Sequence, residues 1–320
     1  MRIAILGNPD GWYVRDLTRA AAGRAEIVVV PFDEMRASLA CGFAAESIAT
    51  EGHDLAGCDA VLVRTMSPGS LEQVVFRMDA LARLEALGTV VVNPAKAVEA
   101  SVDKFLTSAK LQAAGFLVPR TVVCQTSDDA CRAFERLGCD VVVKPLFGSE
   151  GRGITRLNDE ALAQRAFTML ERLGAVLYVQ EFIPHEGYDI RLLVVGRRVL
   201  GVRRRNPHDW RTNCSRGAVA EPLTVTDELT EMALRAADAV GASVAGVDFL
   251  PGRDGRLWAI EVNAVPGWKA LARALEIDVA SLVLDHVAEL TAERRETAER
   301  RETAERRETV ERRKTAERLR

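Results

Sequence analysis

Two rhythms of apolar and polar positions run along this chain. Ile3 to Leu6, Glu26 to Val30, Ala60 to Val63 and Thr89 to Val92 are short apolar runs of strand length, separated by helical patterns such as Leu71 to Leu87. Strands alternating with helices predict a parallel sheet, so the opening third reads as an α/β unit. Asn93-Pro94 breaks that pattern, and Ser101 is placed to cap a helix carrying Phe105, Leu106, Ala109 and Leu111 as far as Gly115. A second unit starts there. It reads as a strand over 117–124, a helix over 128–137, a strand around Val141 to Val143, a return strand over 154–157, a helix over 159–173 and a strand over 176–182. Strands over 190–195 and 199–203 follow, and from Val244 two more are joined by a Pro/Gly turn.

Chemistry enters where the pattern meets glycine. In VVVKPLFGSEGRGITRL, Lys144 ends a buried strand, and Gly148, Gly151 and Gly153 free the next backbone to approach a ligand closely. The glycines lie between two strands, so this is a hairpin lid and not a Walker loop, which needs GxxxxGK[ST] running into a helix. The alternative is an ordinary glycine-rich hairpin with a surface lysine. Gln180-Glu181-Phe182-Ile183 then ends a strand before Pro184, where backbone groups can meet an adenine edge; Asp189 follows, able to accept from ribose hydroxyls. Arg203, Arg204, Arg205, Arg211 and Arg216 crowd one polar segment, as guanidinium groups do where phosphate or carboxylate is bound, or simply on a solvated face.

If Pro251 to Arg256 form the last turn, strand alternation puts Val247, Phe249, Trp258, Ile260 and Val262 on one face. The other face carries Asp248, Glu261 and Asn263, with no lysine or arginine between them on those two strands. Oxygen donors alone point to a hard ion such as Mg²⁺ or Mn²⁺, completed by water and phosphate. Arg64 ends its strand where open parallel sheets bind ligands. Gly7 and Gly11 lack the GxGxxG spacing, which argues against a dinucleotide.

Composition narrows the class. The 320 residues are 48% hydrophobic with a formal net charge of −3, enough for two or three packed units and too little charge to argue for nucleic acid or an anionic membrane. No run is long enough to span a bilayer and the start lacks a secretory pattern, so a cytoplasmic protein is expected. Cys41, Cys58, Cys124, Cys131, Cys139 and Cys214 show no CxxC pairing. The last 30 residues repeat TAERRE with a period of six, which walks around a helix instead of forming a stripe; Glu296–Arg300 and Glu302–Arg306 are favourable i,i+4 pairs.

Taken in order, DKFLTSAKL, VVKPLFGSEGRGI, QEFI, YDIRLLV, WRTNCSRG, GVDFL and IEVNAVPG resemble the ATP-grasp ligases, and within them the RimK-type α-L-glutamate ligases. The resemblance reaches to about Leu290. It implies an α/β (α+β) chain: a Rossmann-like pre-ATP-grasp domain over 1–100, a small ATP-grasp domain with the lid over 101–185, a large one with the metal site over 186–290, and a tail over 291–320. It implies ATP as cofactor with two Mg²⁺ or Mn²⁺ ions held by Asp248, Glu261 and Asn263. Lys104, Lys144, Ser149, Gly151 and Gly153 would meet phosphates, Glu181, Phe182 and Ile183 the adenine, and Asp189 the ribose. Arg211, Thr212 and Asn213 match a nucleotide-contacting triplet, with Thr212 where Ser is usual, and Arg191, Arg211 and Arg216 would be catalytic. The implied partners are ATP, L-glutamate and a carboxylate-bearing acceptor, with a homo-oligomer left open. GWYVRDL and RTMSPGSLEQVVFRMDAL look most like the tetrahydromethanopterin-type branch. Glutamylation of a protein tail or carrier protein, a dipeptide-forming ligase and a non-catalytic nucleotide-binding regulator are the alternatives.

Overall fold

The computed structural model describes residues 1–39, 47–50, 52–148 and 151–318. Ser149, Cys41 and the side chains of Glu302 and Arg306 lie outside what it describes. The chain divides into two compact units, residues 1–92 with 280–320, and residues 93–279.

In the first unit, Arg2–Leu6, Glu26–Val30, Ala60–Val63 and Val90–Val92 form a parallel sheet with Arg2–Leu6 and Ala60–Val63 at its centre. Ile3 to Leu6 and Ala60 to Val63 are buried throughout, as continuous apolar strands covered on both faces must be. Helix Leu71–Leu87 starts at Ser70 with a full capping box to Gln73 and stops at Gly88 in the left-handed conformation. A small antiparallel sheet of Arg36–Ser38, Ser47–Thr50 and His53–Asp54 was not legible in the pattern, because its strands are too short to show alternation. Arg64 is buried and lies over the Tyr13 ring, 5.0 Å from its centroid. Helix Val279–Arg318 runs through the repeats; Thr291 is buried on it and Arg295 pairs with Asp59 at 2.6 Å. Among the described residues no helix is long and apolar enough to cross a membrane.

The second unit holds two antiparallel sheets. One orders Thr155–Leu157, Val141–Lys144, Leu177–Glu181 and Thr121–Cys124; the other orders Val219–Pro222, Arg198–Arg205, Tyr188–Val195, Val244–Pro251 and Leu257–Asn263. At its entry the buried Asn93 amide donates to the carbonyls of Val244 and Ala264 and accepts from the N–H groups of Ser243 and Val244, which ties the break in the sequence pattern to the larger sheet. The helix cap is Asp103, not Ser101. Asp103 accepts from Leu106 N–H at 2.9 Å, while Ser101 belongs to the preceding helix Ala95–Val102. The strand expected over 117–124 is ladder-paired only from Thr121, two residues after Pro119, which has no N–H to give a ladder.

The hairpin alternation is corrected by a bulge. Asp248 pairs with Glu261, but Phe249 pairs with Ala259, so Ile260 is the extra residue and the faces switch there. Val247, Phe249, Ala259 and Val262 join the core under helix Asp227–Val240, and Trp258 and Ile260 do not share that face as simple alternation requires. Asp248 and Glu261 remain on the opposite face.

Candidate active site

The smaller sheet sorts its residues by parity. Val141, Val143, Leu157, Leu177 and Val179 pack in a core against helices Ser127–Arg136 and Glu160–Arg172. Val142, Lys144, Arg156, Tyr178, Gln180 and Phe182 therefore share the other face. Lys144 Nζ donates to Gln180 Oε1 at 2.7 Å, and Gln180 Nε2 donates to Thr121 Oγ1 and to the Tyr178 hydroxyl at 3.0 and 3.1 Å. Burial pulls the Lys144 ammonium down to about 8; Glu261 works against that and Lys104 adds to it. Lys104 opens helix Lys104–Ala113, where the helix dipole costs a cation about 0.3–1 kcal/mol. Its Nζ donates to the Gly148 carbonyl at 2.7 Å; burial lowers its pKa as well, against the pull of Glu261. Glu261 thus acts on both desolvated ammonium groups, with Asp248 acting on Lys144 and Asp103 on Lys104 as well.

The larger sheet handles charge differently. Arg191 Nη1 donates to Asp248 Oδ1 at 2.6 Å. Arg204 grips Asp189 with two bonds of 2.8 and 2.5 Å and reaches Asp248 Oδ2 at 2.9 Å. Thr212 donates its hydroxyl to Asp189. All four charged groups are at most 9% exposed. Burial opposes ionisation of Asp248, but Arg191 and Arg204 outweigh it and hold its carboxyl below the ordinary range; Arg204 is held above its own by Asp248 and Asp189. The positive partners missing from the hairpin itself come from the neighbouring strands. Two carboxylates and two guanidinium groups make a neutral quartet, and removing one member of such a buried set typically costs about 3–5 kcal/mol.

The arginine loop faces the glycine lid. Arg211 is clamped by Asp209 and sends Nη1 to the Ile154 carbonyl at 3.3 Å; Arg216 Nη2 reaches the Gly151 carbonyl at 3.4 Å. Gly151 and Gly153 both have φ of +71°, which only glycine adopts without strain, and a Cβ on Gly151 would sit 2.6 Å from Asn213 Oδ1. At the far end of the lysine face, Phe182 lies beneath the Arg156 guanidinium (3.5 Å) and edge-on to Trp210 (5.7 Å). Together with His185, His208 and Arg253 they line a cavity of about 590 Å³. The Glu181 carboxylate is taken by Arg120, at 2.8 Å from its N–H and 2.6 Å from its Nε. The N–H groups of Glu181 and Phe182 go to the carbonyls of Arg120 and Asp140. A ligand at this edge would meet the backbone beyond them, at Ile183, and not the Glu181 side chain.

Oxygen donors for a hard cation are present but incomplete. Among the described residues no three His, Cys, Asp or Glu side chains are grouped to hold a metal. Each Asp248 oxygen keeps one lone pair beside its arginine, Asn263 Oδ1 already accepts from Val265 N–H at 2.8 Å, and Glu261 feels two lysines. The set suits Mg²⁺ whose remaining ligands come from phosphate.

Known proteins resemble this chain over most of its length. The description of the RimK-like ATP-grasp domain matches residues 101–287, and that of the RimK pre-ATP-grasp domain residues 1–98. The chain belongs to the RimK-like ATP-grasp family. It is 35% identical over 226 residues to the tetrahydromethanopterin:α-L-glutamate ligase of Methanococcus maripaludis, covering 69% of this chain and 76% of that one. Identity to the enzyme of the same name from Methanosarcina acetivorans is 31% over 324 residues, covering 88% and 97%. The ribosomal protein bS6–L-glutamate ligase of Salmonella paratyphi B is 31% identical over 291 residues, covering 90% and 95%. Among solved structures, the ATP-grasp ligase PsnB with its minimal precursor superposes with a TM-score of 0.71 at 27% identity, covering 90% and 98%. PsnB with a phosphomimetic precursor variant, Mg and ADP gives a TM-score of 0.67 at 25% identity over the same shares of the two chains. As a member of this family the chain is an ATP-dependent, ADP-forming α-L-glutamate ligase.

Within the RimK-like fold, Lys104, Lys144, Glu261, Asp248 and Arg191 fall on elements the sequence pattern had marked, and Ser149 lies outside the described residues. Arg120 is not marked by the sequence pattern, and Gln180 and Arg204 are marked there only as part of a strand end and of an arginine cluster, without their partners. Alternation along Arg198–Arg205 could have found Arg204, since it separates that residue from Arg203 and Arg205, whose guanidinium groups lie over Tyr188 on the other side.

Proposed function

We propose that this ligase joins the amine of L-glutamate to a carboxylate on a cofactor acceptor of the tetrahydromethanopterin type. Two relatives carrying that activity in their names support the acceptor class, as do the segments Trp12 to Leu17 and Arg64 to Leu81. The observation that carries the catalytic reading is the contrast between two lysines that donate only to a neutral amide and a backbone carbonyl and a neutral quartet on the larger sheet.

In this reading ATP lies along the lysine face. Its adenine enters the end lined by Phe182 and meets the backbone at Ile183, with Glu181 buttressing that strand through Arg120. Asp189 and Thr212 shape the ribose side, Arg211 and Asn213 reach the nucleotide, and Lys104, Lys144, Ser149, Gly151 and Gly153 enclose the phosphates. Asp248, Glu261 and Asn263 would hold two Mg²⁺ or Mn²⁺ ions, which supply neutralisation of the polyphosphate charge. The acceptor carboxylate oxygen attacks the γ-phosphorus and ADP leaves. The glutamate amine then attacks the acyl carbon, expelling phosphate and losing a proton. Arg191, Arg211 and Arg216 balance charge on the acyl phosphate. No side-chain nucleophile is required, because phosphoryl transfer is governed by alignment and charge.

Transfer of glutamate to a protein C-terminus is the second reading, supported by the bS6 ligase at comparable identity. Incubating the protein with ATP, glutamate and each acceptor in turn, followed by mass spectrometry, decides between them. Mass gain on the pterin acceptor alone supports the first; gain only on the protein tail overturns it.

A further inference from the structure

The larger sheet has two glycines in mid-strand whose backbone does not require glycine. Neither Gly201 nor Gly246 has a positive φ. At Gly201 a Cβ would strike Val225 Cγ2 at 2.6 Å and Leu192 Cδ2 at 3.0 Å, an ordinary matter of apolar packing. Gly246 is different. Its missing Cβ would fall 2.7 Å from Arg191 Nε, and closer still to Cζ and Nη2 of the same guanidinium. Gly246 pairs with Leu193 on one side and Asn263 on the other, two residues before Asp248 on the same face.

The Arg191 side chain therefore lies across the strand over residue 246, and from there its Nη1 donates to Asp248, its cross-strand partner. We infer that Gly246 is a positioning residue, whose absent side chain is the seat of the Arg191 guanidinium and so completes the Arg191–Asp248–Arg204–Asp189 quartet. A glycine in a strand interior weakens the strand relative to alanine, so the position is unfavourable unless the space is used. With alanine at 246 the Arg191 guanidinium must shift off this seat, which loosens its bond to Asp248.

The inference rests on the proposed site only for its consequence in catalysis; the seat itself is a matter of packing. A double-mutant cycle tests both. Gly246→Ala should lower the melting temperature of the metal- and nucleotide-free protein by several degrees. In an Arg191→Ala background the same substitution should be neutral or raise the melting temperature, because the clash is gone and alanine favours the strand. This reversal of sign is the diagnostic result. Gly201→Ala should be destabilising in both backgrounds. Calorimetric binding of Mg²⁺ with a non-hydrolysable ATP analogue should weaken by a similar factor in Gly246→Ala and in Arg191→Ala, with no further loss in the double variant. Equal destabilisation by Gly246→Ala in both backgrounds would overturn the inference, as would retention of full analogue affinity in Gly246→Ala beside a loss in Arg191→Ala. If the stability cycle couples but Arg191→Ala turns over like wild type, the seat stands and the catalytic role of Arg191 falls.

Discussion

The two sheets of the second unit treat buried charge in opposite ways. On the larger, Asp189, Asp248, Arg191 and Arg204 compensate one another within 3 Å, although burial still holds the Asp189 carboxyl above its ordinary range. On the smaller, Lys144, with Lys104 from the start of helix Lys104–Ala113, lies desolvated, the two having a neutral amide and a backbone carbonyl as hydrogen-bond acceptors. The first arrangement is internally paired, whereas the second is short of an anion. In the proposed reading a polyphosphate would supply it; Glu261 acts on both lysines, and Asp248 of the quartet also acts on Lys144.

The sharpest way to break this contrast is Glu261→Gln, which keeps volume and removes the shared charge. Turnover should fall roughly 10²- to 10³-fold, the usual cost of losing a preorganised electrostatic group. Melting of the metal-free protein should change little, since Glu261 belongs to no ion pair of the quartet. Wild-type turnover at limiting Mg²⁺ would reduce the acidic face to a solvated one.

Next in size is Lys144→Ala. A hydrogen bond to a charged group contributes about 1.5–3 kcal/mol, so ATP affinity should drop by roughly 10- to 100-fold. The loss should exceed that of Lys104→Ala, because Lys144 stands on a strand and its amine is the more deeply desolvated. Unchanged titrations would remove the lysine from the phosphate site. Gly151→Val follows, with an expected loss of roughly tenfold in turnover: the φ of +71° strains a β-branched residue and its Cβ displaces Asn213. Circular dichroism should show the core intact.

A subtler effect concerns protons. Lys144 titrates near 8 in the free protein, below its ordinary value of about 10.4, so the fold favours its neutral form. Burying its charge costs stability in full below pH 8, and that cost fades as pH rises toward about 10.4. Lys144→Met should therefore raise the melting temperature at pH 7 and lose that advantage by pH 10. Phosphate restores the charge, so binding of an ATP analogue at pH 9 should take up about one proton, against almost none at pH 7. Calorimetry in buffers of different ionisation enthalpy reads this directly, and Lys144→Arg should abolish the uptake.

The smallest expected effect is at the tail. Thr291 is buried and Arg295 pairs with Asp59, so a cut at residue 290 would remove contacts of the first unit. A cut after Arg300 leaves these in place and should keep ligase activity within a fewfold. Collapse of turnover in that folded truncation would give the repeats a catalytic part.

Much of this was legible along the chain, for stated physical reasons. Continuous apolar runs exposed the parallel strands, and glycines with a lysine marked the lid. Alternation located Asp248 and Glu261, but the bulge at Ile260 defeated it one residue on, because a bulge leaves no periodic trace. Partnership across strands was the harder part. Asp248 looked uncompensated because its arginines come from strands more than 40 residues away, and Arg204 was hidden in what read as a charge run. The cap at Asp103 was missed because Ser101 is an equally good capping residue two positions earlier.

The most direct test of the central contrast is a calorimetric Mg²⁺ titration of the wild-type protein with and without a non-hydrolysable ATP analogue. A neutral quartet beside an anion-seeking lysine face predicts tight Mg²⁺ binding only when the analogue is present, lost in Glu261→Gln. Equally tight Mg²⁺ binding in the nucleotide-free protein would contradict it.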